Sequence, residues 1–79
     1  MENLHEIEQR LMQIIKTNLL IDIGKSEQIP IDSFQLTQLM LEIEDEYNIR
    51  LLSDDIKQIA SNITVENIAL LLEKKLLHT

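Results

Sequence analysis

The chain has 79 residues, 14 acidic against 7 basic side chains, a formal net charge of −7 and no cysteine. Such a charge argues against nucleic acid and anionic membrane surfaces as partners, and for proteins with basic patches. Without cysteine there is no disulfide framework, zinc–thiolate site or cysteine nucleophile, so a thiol, where one is needed, must come with a prosthetic group.

Apolar residues make up 44% of the sequence, with one Gly and one Pro, so little of the chain is obliged to be loop and composition predicts an all-α fold. Leu4, Ile7, Leu11, Ile14 and Ile15 form the first apolar stripe at helical spacing. Glu6, Glu8, Gln9 and Arg10 fill the other side, and a first helix is expected from about Asn3 to Asn18. Leu19, Leu20, Ile21 and Ile23 follow without clean helical spacing and read as the start of a loop lying across the bundle, running to about Ile31. Gly24-Lys25-Ser26 in that loop is no phosphate-binding P-loop, which needs another Gly where Leu19 stands.

Pro30 cannot continue a helix from upstream and pushes Ile29 to an extended conformation. Asp32-x-x-Gln35 then reads as a capping box, with Ser33 in the first turn of a second helix. Leu36, Leu39, Met40, Ile43 and Tyr47 are its core stripe, and Phe34, Gln38, Leu41 and Asp45 stack on the opposite side. Phe34 and Leu41 are therefore apolar residues on a polar face. They are either scattered surface hydrophobes or a docking patch flanked by Glu42, Glu44 and Asp45, and Phe34 has the further option of folding back under the preceding loop.

Ser53 reads as a cap, and Ile56, Ile59 and Ala60 give a short third helix with Asp54 and Asp55 at its positive end. The alternating oxygen ligands and central Gly of a calcium loop are missing there. Thr64 caps the last helix, a better use for it than the glycosylation sequon Asn62-Ile63-Thr64. Val65, Ile68, Ala69, Leu72 and Leu76 form that helix's core stripe, and Lys74 and Lys75 lie near its negative end. His5 and His78 have no ligand-spaced neighbours and read as solvated side chains rather than a metal site.

A helix N-terminus offers unpaired N–H donors and the positive end of a dipole, which suits a phosphate. Asp32 and Ser33 alone need mean no more than a helix start. Taken with the rest of the helix, they mean more. Asp32-Ser33-Phe34, the amphipathic helix, the acidic run Glu42-Ile43-Glu44-Asp45-Glu46 closing on Tyr47, and Ile49-Arg50-Leu51 together resemble the acyl carrier protein family over roughly residues 29–72. The chain departs from that family in its first loop, where Gln28-Ile29-Pro30-Ile31 replaces the usual longer connection, and at Gln35 and Gln38, which are often acidic.

The resemblance implies a four-helix bundle of acyl-carrier type, with a short third helix and a long first loop. It implies 4′-phosphopantetheine from coenzyme A carried covalently on Ser33, with Asp32 capping the helix and helping a phosphopantetheinyl transferase to find the site. The arm's thiol would hold a fatty acyl, polyketide, aminoacyl or D-alanyl group as a thioester. An acyl-loading ligase or acyltransferase, and downstream synthases with basic docking patches, would then use it. Phe34, Gln38, Leu41, Glu42, Glu44 and Asp45 are the expected docking residues. The alternative is an unmodified helical adaptor that docks through helix two. An enzyme is not expected, because no nucleophile, base and orienting group can be assembled from these residues. No stretch has the length and apolarity of a signal peptide or membrane span, so a cytoplasmic protein is expected. The initial Met and the lack of linker composition lead us to expect one free-standing, monomeric carrier domain over residues 1–79.

Overall fold

Asn3 starts the first helix because its side-chain oxygen takes the Glu6 N–H at 2.9 Å, while the Glu6 carboxylate accepts the Asn3 N–H. The structure, a computed structural model, describes residues 3–77. Four helices follow one another: α1 is Leu4–Leu19, α2 Ser33–Tyr47, α3 Ser53–Ser61 and α4 Val65–Leu77. No strand occurs among the described residues. The short third helix and the long first connection agree with the apolar spacing. The first helix runs one residue past the Asn18 end expected for it.

Helices α1 and α2 both end on a left-handed residue whose N–H closes the last turn. Leu20, with φ 57°, donates to the Lys16 carbonyl, and Asn48, with φ 54°, donates to that of Glu44. Thr64 caps α4 as its sequence suggests, its hydroxyl accepting the Asn67 N–H at 3.1 Å. Ser53 does not cap α3; the helix begins with it. The Asp55 carboxylate reaches back instead and accepts the Leu52 N–H at 2.8 Å, which is one half of a capping box.

The stripes meet in one core. Ile7, Leu11 and Ile15 come from α1, Leu36, Leu39, Met40 and Ile43 from α2, Ile59 from α3, and Val65, Ile68, Ala69, Leu71 and Leu72 from α4. Ile29 and Leu51 join from the connections. Helix α1 packs mainly on α4 and also on α2, and α3 rests on α4. Ala60 is exposed rather than on the core side, and Leu71 is buried although it lay outside the expected stripe. Helix α4 is covered on two sides, by α1 and by α3, so its apolar arc is wider than one stripe.

Glu8 corrects the sequence reading most clearly. Its place opposite the first apolar stripe predicts an exposed side chain, yet only 7% of it is exposed. Glu8 and Ile15 are seven residues apart and so differ by only about 20° around the helix. The first connection crosses above it and brings the Lys25 ammonium to 3.9 Å from its carboxylate. The same connection is tied to α4 and the turn before it. The Glu66 N–H donates to the Lys25 carbonyl at 3.0 Å, Ser26 Oγ to the Glu66 carboxylate at 2.9 Å, and the Ile29 N–H to the Ile63 carbonyl at 2.8 Å. Gly24-Lys25-Ser26 is therefore a strap over the α1 and α4 surfaces, as a loop lying across the bundle would be.

Candidate functional site

The start of α2 is fixed before the helix begins. Ile29 is buried and bonded to Ile63, and the Ile31 N–H returns to the Ile29 carbonyl at 2.9 Å, making a γ-turn around Pro30. The chain then enters Asp32 extended, at φ −87° and ψ 179°. Asp32 Oδ1 accepts the Gln35 N–H at 2.8 Å, Gln35 Oε1 accepts the Asp32 N–H at 3.2 Å, and the Asp32 carbonyl accepts the Leu36 N–H at 2.9 Å. Both halves of the capping box are present.

Ser33 is the first helical residue and is exposed. Thr37 Oγ1 donates to its carbonyl at 2.9 Å, so the backbone is held while the hydroxyl points to solvent and bonds no described residue. Of the N–H groups that a helix start leaves without intrahelical partners, those of Gln35 and Leu36 are taken by Asp32. Those of Ser33 and Phe34 meet no acceptor among the described residues. A phosphate on Ser33 Oγ would thus lie beside two free donors at the positive end of the α2 dipole. Asp32, Ser33 and Phe34 are all exposed there.

The outer face of α2 carries Phe34 at 69% exposure and Leu41 at 59%, with Gln38, Glu42 and Asp45 exposed around them. Phe34 stands clear and does not fold under the preceding connection. Glu44 departs from the expected docking set. It is half-buried, and its Oε2 accepts the Leu51 N–H at 2.7 Å. Its carboxylate therefore braces the α2–α3 connection, because the left-handed turn at Asn48 folds that segment back onto the last turn of α2. Glu46 is also engaged, 3.5 Å from the Arg10 guanidinium, which lies 5.7 Å from the centroid of the Tyr47 ring. Glu42 and Asp45 remain as the acids of this face that no ion pair or hydrogen bond holds among the described residues.

A groove that sequence reasoning did not anticipate runs between α1 and α2. One part, about 270 Å³, is lined by Asn18, Leu19, Gln38, Leu39, Leu41 and Glu42. The next, about 360 Å³, is lined by Arg10, Gln13, Ile14, Thr17, Asn18, Glu42 and Glu46. Asn18 and Glu42 line both parts. No pattern within either helix alone reveals the groove, because its lining comes from both.

Away from α2, Lys75 Nζ is 2.7 Å from Asp55 Oδ2. That hydrogen bond is the main reason the Asp55 carboxyl sits below its usual range; the Leu52 N–H and the charges of Lys75 and Lys74 add to it, and partial burial opposes it. Among the described residues no group of three or more His, Asp or Glu could hold a metal ion. His5 is exposed, and His78 lies outside the described residues. Among the described residues no helix is long and apolar enough to cross a membrane. Compared with family models, curated proteins and solved structures, the chain matches none.

Proposed function

We propose that this protein is a carrier of the acyl-carrier type, with Ser33 as the attachment point for 4′-phosphopantetheine. The observation that carries this reading is the start of α2. There an exposed, unbonded hydroxyl stands on a rigidly capped first turn, beside two N–H donors that no described residue uses. The four helices, with a short α3 and a long first connection, are compatible with it. When bound, the group supplies the thiol that the chain lacks and with it the means to hold a carboxylic acid as a thioester.

The chain's own residues supply the anchor and the address. Asp32 holds the first turn and keeps its carboxylate on the Gln35 N–H, which leaves the Ser33 and Phe34 donors for a phosphate. Phe34, Gln38, Leu41, Glu42 and Asp45 form the exposed face beside it, suited to loading enzymes and synthases with basic docking surfaces. Catalysis belongs to those partners.

The test is intact mass after incubation with a broad-specificity phosphopantetheinyl transferase, coenzyme A and magnesium. One phosphopantetheine should be added and should map to the peptide containing Ser33. Ser33→Ala should melt like the wild type, because an exposed side chain without partners contributes within about 0.5 kcal/mol, and should gain no mass. Absence of the added mass with several transferases would replace the carrier by an unmodified adaptor docking through the same face of α2.

A further inference from the structure

Between the α3–α4 turn and Ser33 the chain has no free joint. The Ile29 N–H is bonded to the Ile63 carbonyl at 2.8 Å, and the Ile29 side chain is buried. Pro30 follows, with a ring that fixes φ. The Ile31 N–H closes back on the Ile29 carbonyl at 2.9 Å, and Asp32 is held by its capping box with Gln35. Ser33 and Phe34 themselves are exposed, and the first α2 residue in the core is Leu36. Core packing therefore grips α2 from Leu36 onward. The turn before it takes its place from the segment that leads into it.

The α3–α4 turn carries that segment, and Asn62 is the centre of the turn. The Asn62 carbonyl accepts the Thr64 N–H at 3.0 Å and Asn67 Nδ2 at 2.8 Å. Asn67 Nδ2 also donates to the Gln58 carbonyl at 3.3 Å, so one α4 side chain ties the end of α3 to the turn. Asn62 Oδ1, in turn, accepts from Gln28 Nε2. The Gln28–Asn62 and Ile29–Ile63 bonds are thus two neighbouring rungs between the same two segments. One rung alone is a pivot, whereas two fix a direction. The Gln28 and Asn62 side chains are both exposed and add nothing to the core, so their bond constrains orientation rather than packing.

We infer that Gln28 and Asn62 are positioning residues for the loading of Ser33. The two rungs set the direction in which residues 29–32 leave the α3–α4 turn. That direction sets the angle at which the Ser33 hydroxyl and the free Ser33 and Phe34 N–H groups are offered to a transferase. With the Gln28–Asn62 bond gone, the segment pivots on the Ile29–Ile63 bond, and only a fraction of the molecules presents the first turn correctly. The apparent KM then rises as the reciprocal of that fraction, while correctly bound protein reacts as before. This inference rests on the carrier reading of Ser33 and adds to it the long-range contact that controls the site.

The experiment uses the full unmodified chain with a broad-specificity phosphopantetheinyl transferase, coenzyme A and magnesium. The variants are Gln28→Ala, Asn62→Ala, the two combined, and Asn62→Asp, which keeps an acceptor for Gln28. Each alanine variant should raise the KM for the carrier by about three- to tenfold with kcat unchanged. The combined variant should be no worse than either alone, because both remove the same bond. Asn62→Asp should stay near wild type. All four should melt within about 4 °C of wild type, as exposed substitutions do. Amide exchange on the unmodified alanine variants should quicken at Ile29 and Ile31 while Ile43 and Ile68 stay protected. The inference is overturned if KM is unchanged in either alanine variant, if kcat falls instead, if the two effects add, or if Ile43 and Ile68 lose protection together with Ile29. A wild type that gains no mass refutes the carrier reading and this inference together, whereas a wild type loaded no better than Gln28→Ala refutes this inference alone.

Discussion

Replacing Ile43 by Ala removes three carbon atoms from a side chain that is 0% exposed, on the face of α2 turned to the shared core. The transfer term alone is about 2.4 kcal/mol, at about 0.8 kcal/mol per methylene. The cavity left between packed helices adds roughly 1–2 kcal/mol, so the expected loss is about 3–4 kcal/mol. A domain of 79 residues has about 4–12 kcal/mol in all, so the variant would lie near the edge of folding. Each kcal/mol corresponds to about 4–8 °C for a domain of this size, which puts the expected fall in Tm at roughly 15–25 °C. Circular dichroism melts, with urea titration at one temperature, measure it. Leu41→Ala on the opposite face is the control and should stay within about 0.5 kcal/mol of wild type. A change in Tm below about 5 °C for Ile43→Ala, or a larger one for Leu41→Ala, would mean that α2 is rotated from the orientation described.

Two further predictions concern polar braces. Glu44→Ala should cost about 1–3 kcal/mol by leaving the partly buried Leu51 N–H without its acceptor, while Glu44→Gln, which keeps an acceptor, should cost less; equal melts for wild type and Glu44→Ala would show that the brace does not form in solution. The Asp55 carboxyl is held below its usual value of 3.8, chiefly by the hydrogen bond from Lys75, so its contribution is fully present above that value and is lost as pH falls through its own lower one. The stability difference between wild type and Lys75→Met should therefore be constant near neutrality and shrink below about pH 4; a difference that stays constant in acid would show that Lys75 acts by packing rather than by charge.

Much of this molecule was legible residue by residue, because it depends on interactions between chain neighbours. The Asp32-x-x-Gln35 box places Ser33 in the first helical turn, and Thr64 caps α4. Each needs only a side chain and an N–H three residues away. The core stripe of α2 follows from the helix repeat and puts Phe34 and Leu41 on the solvent side. What the repeat could not report is which charged residue another segment would cover. Glu8 lies within the buried arc of α1, but only the crossing of the strap and the approach of Lys25 make that position tolerable for a carboxylate. Glu42, Glu44, Asp45 and Glu46 read alike as an acidic run. The fold separates them, turning Glu44 toward Leu51, pairing Glu46 with Arg10, and leaving Glu42 and Asp45 to solvent. The groove beside them has no counterpart in the pattern of either helix. Local order thus set which face of α2 is exposed, whereas the division of its acids and the groove along α1 were decided by long-range packing, since a side chain's partner across helices depends on where distant segments come to rest.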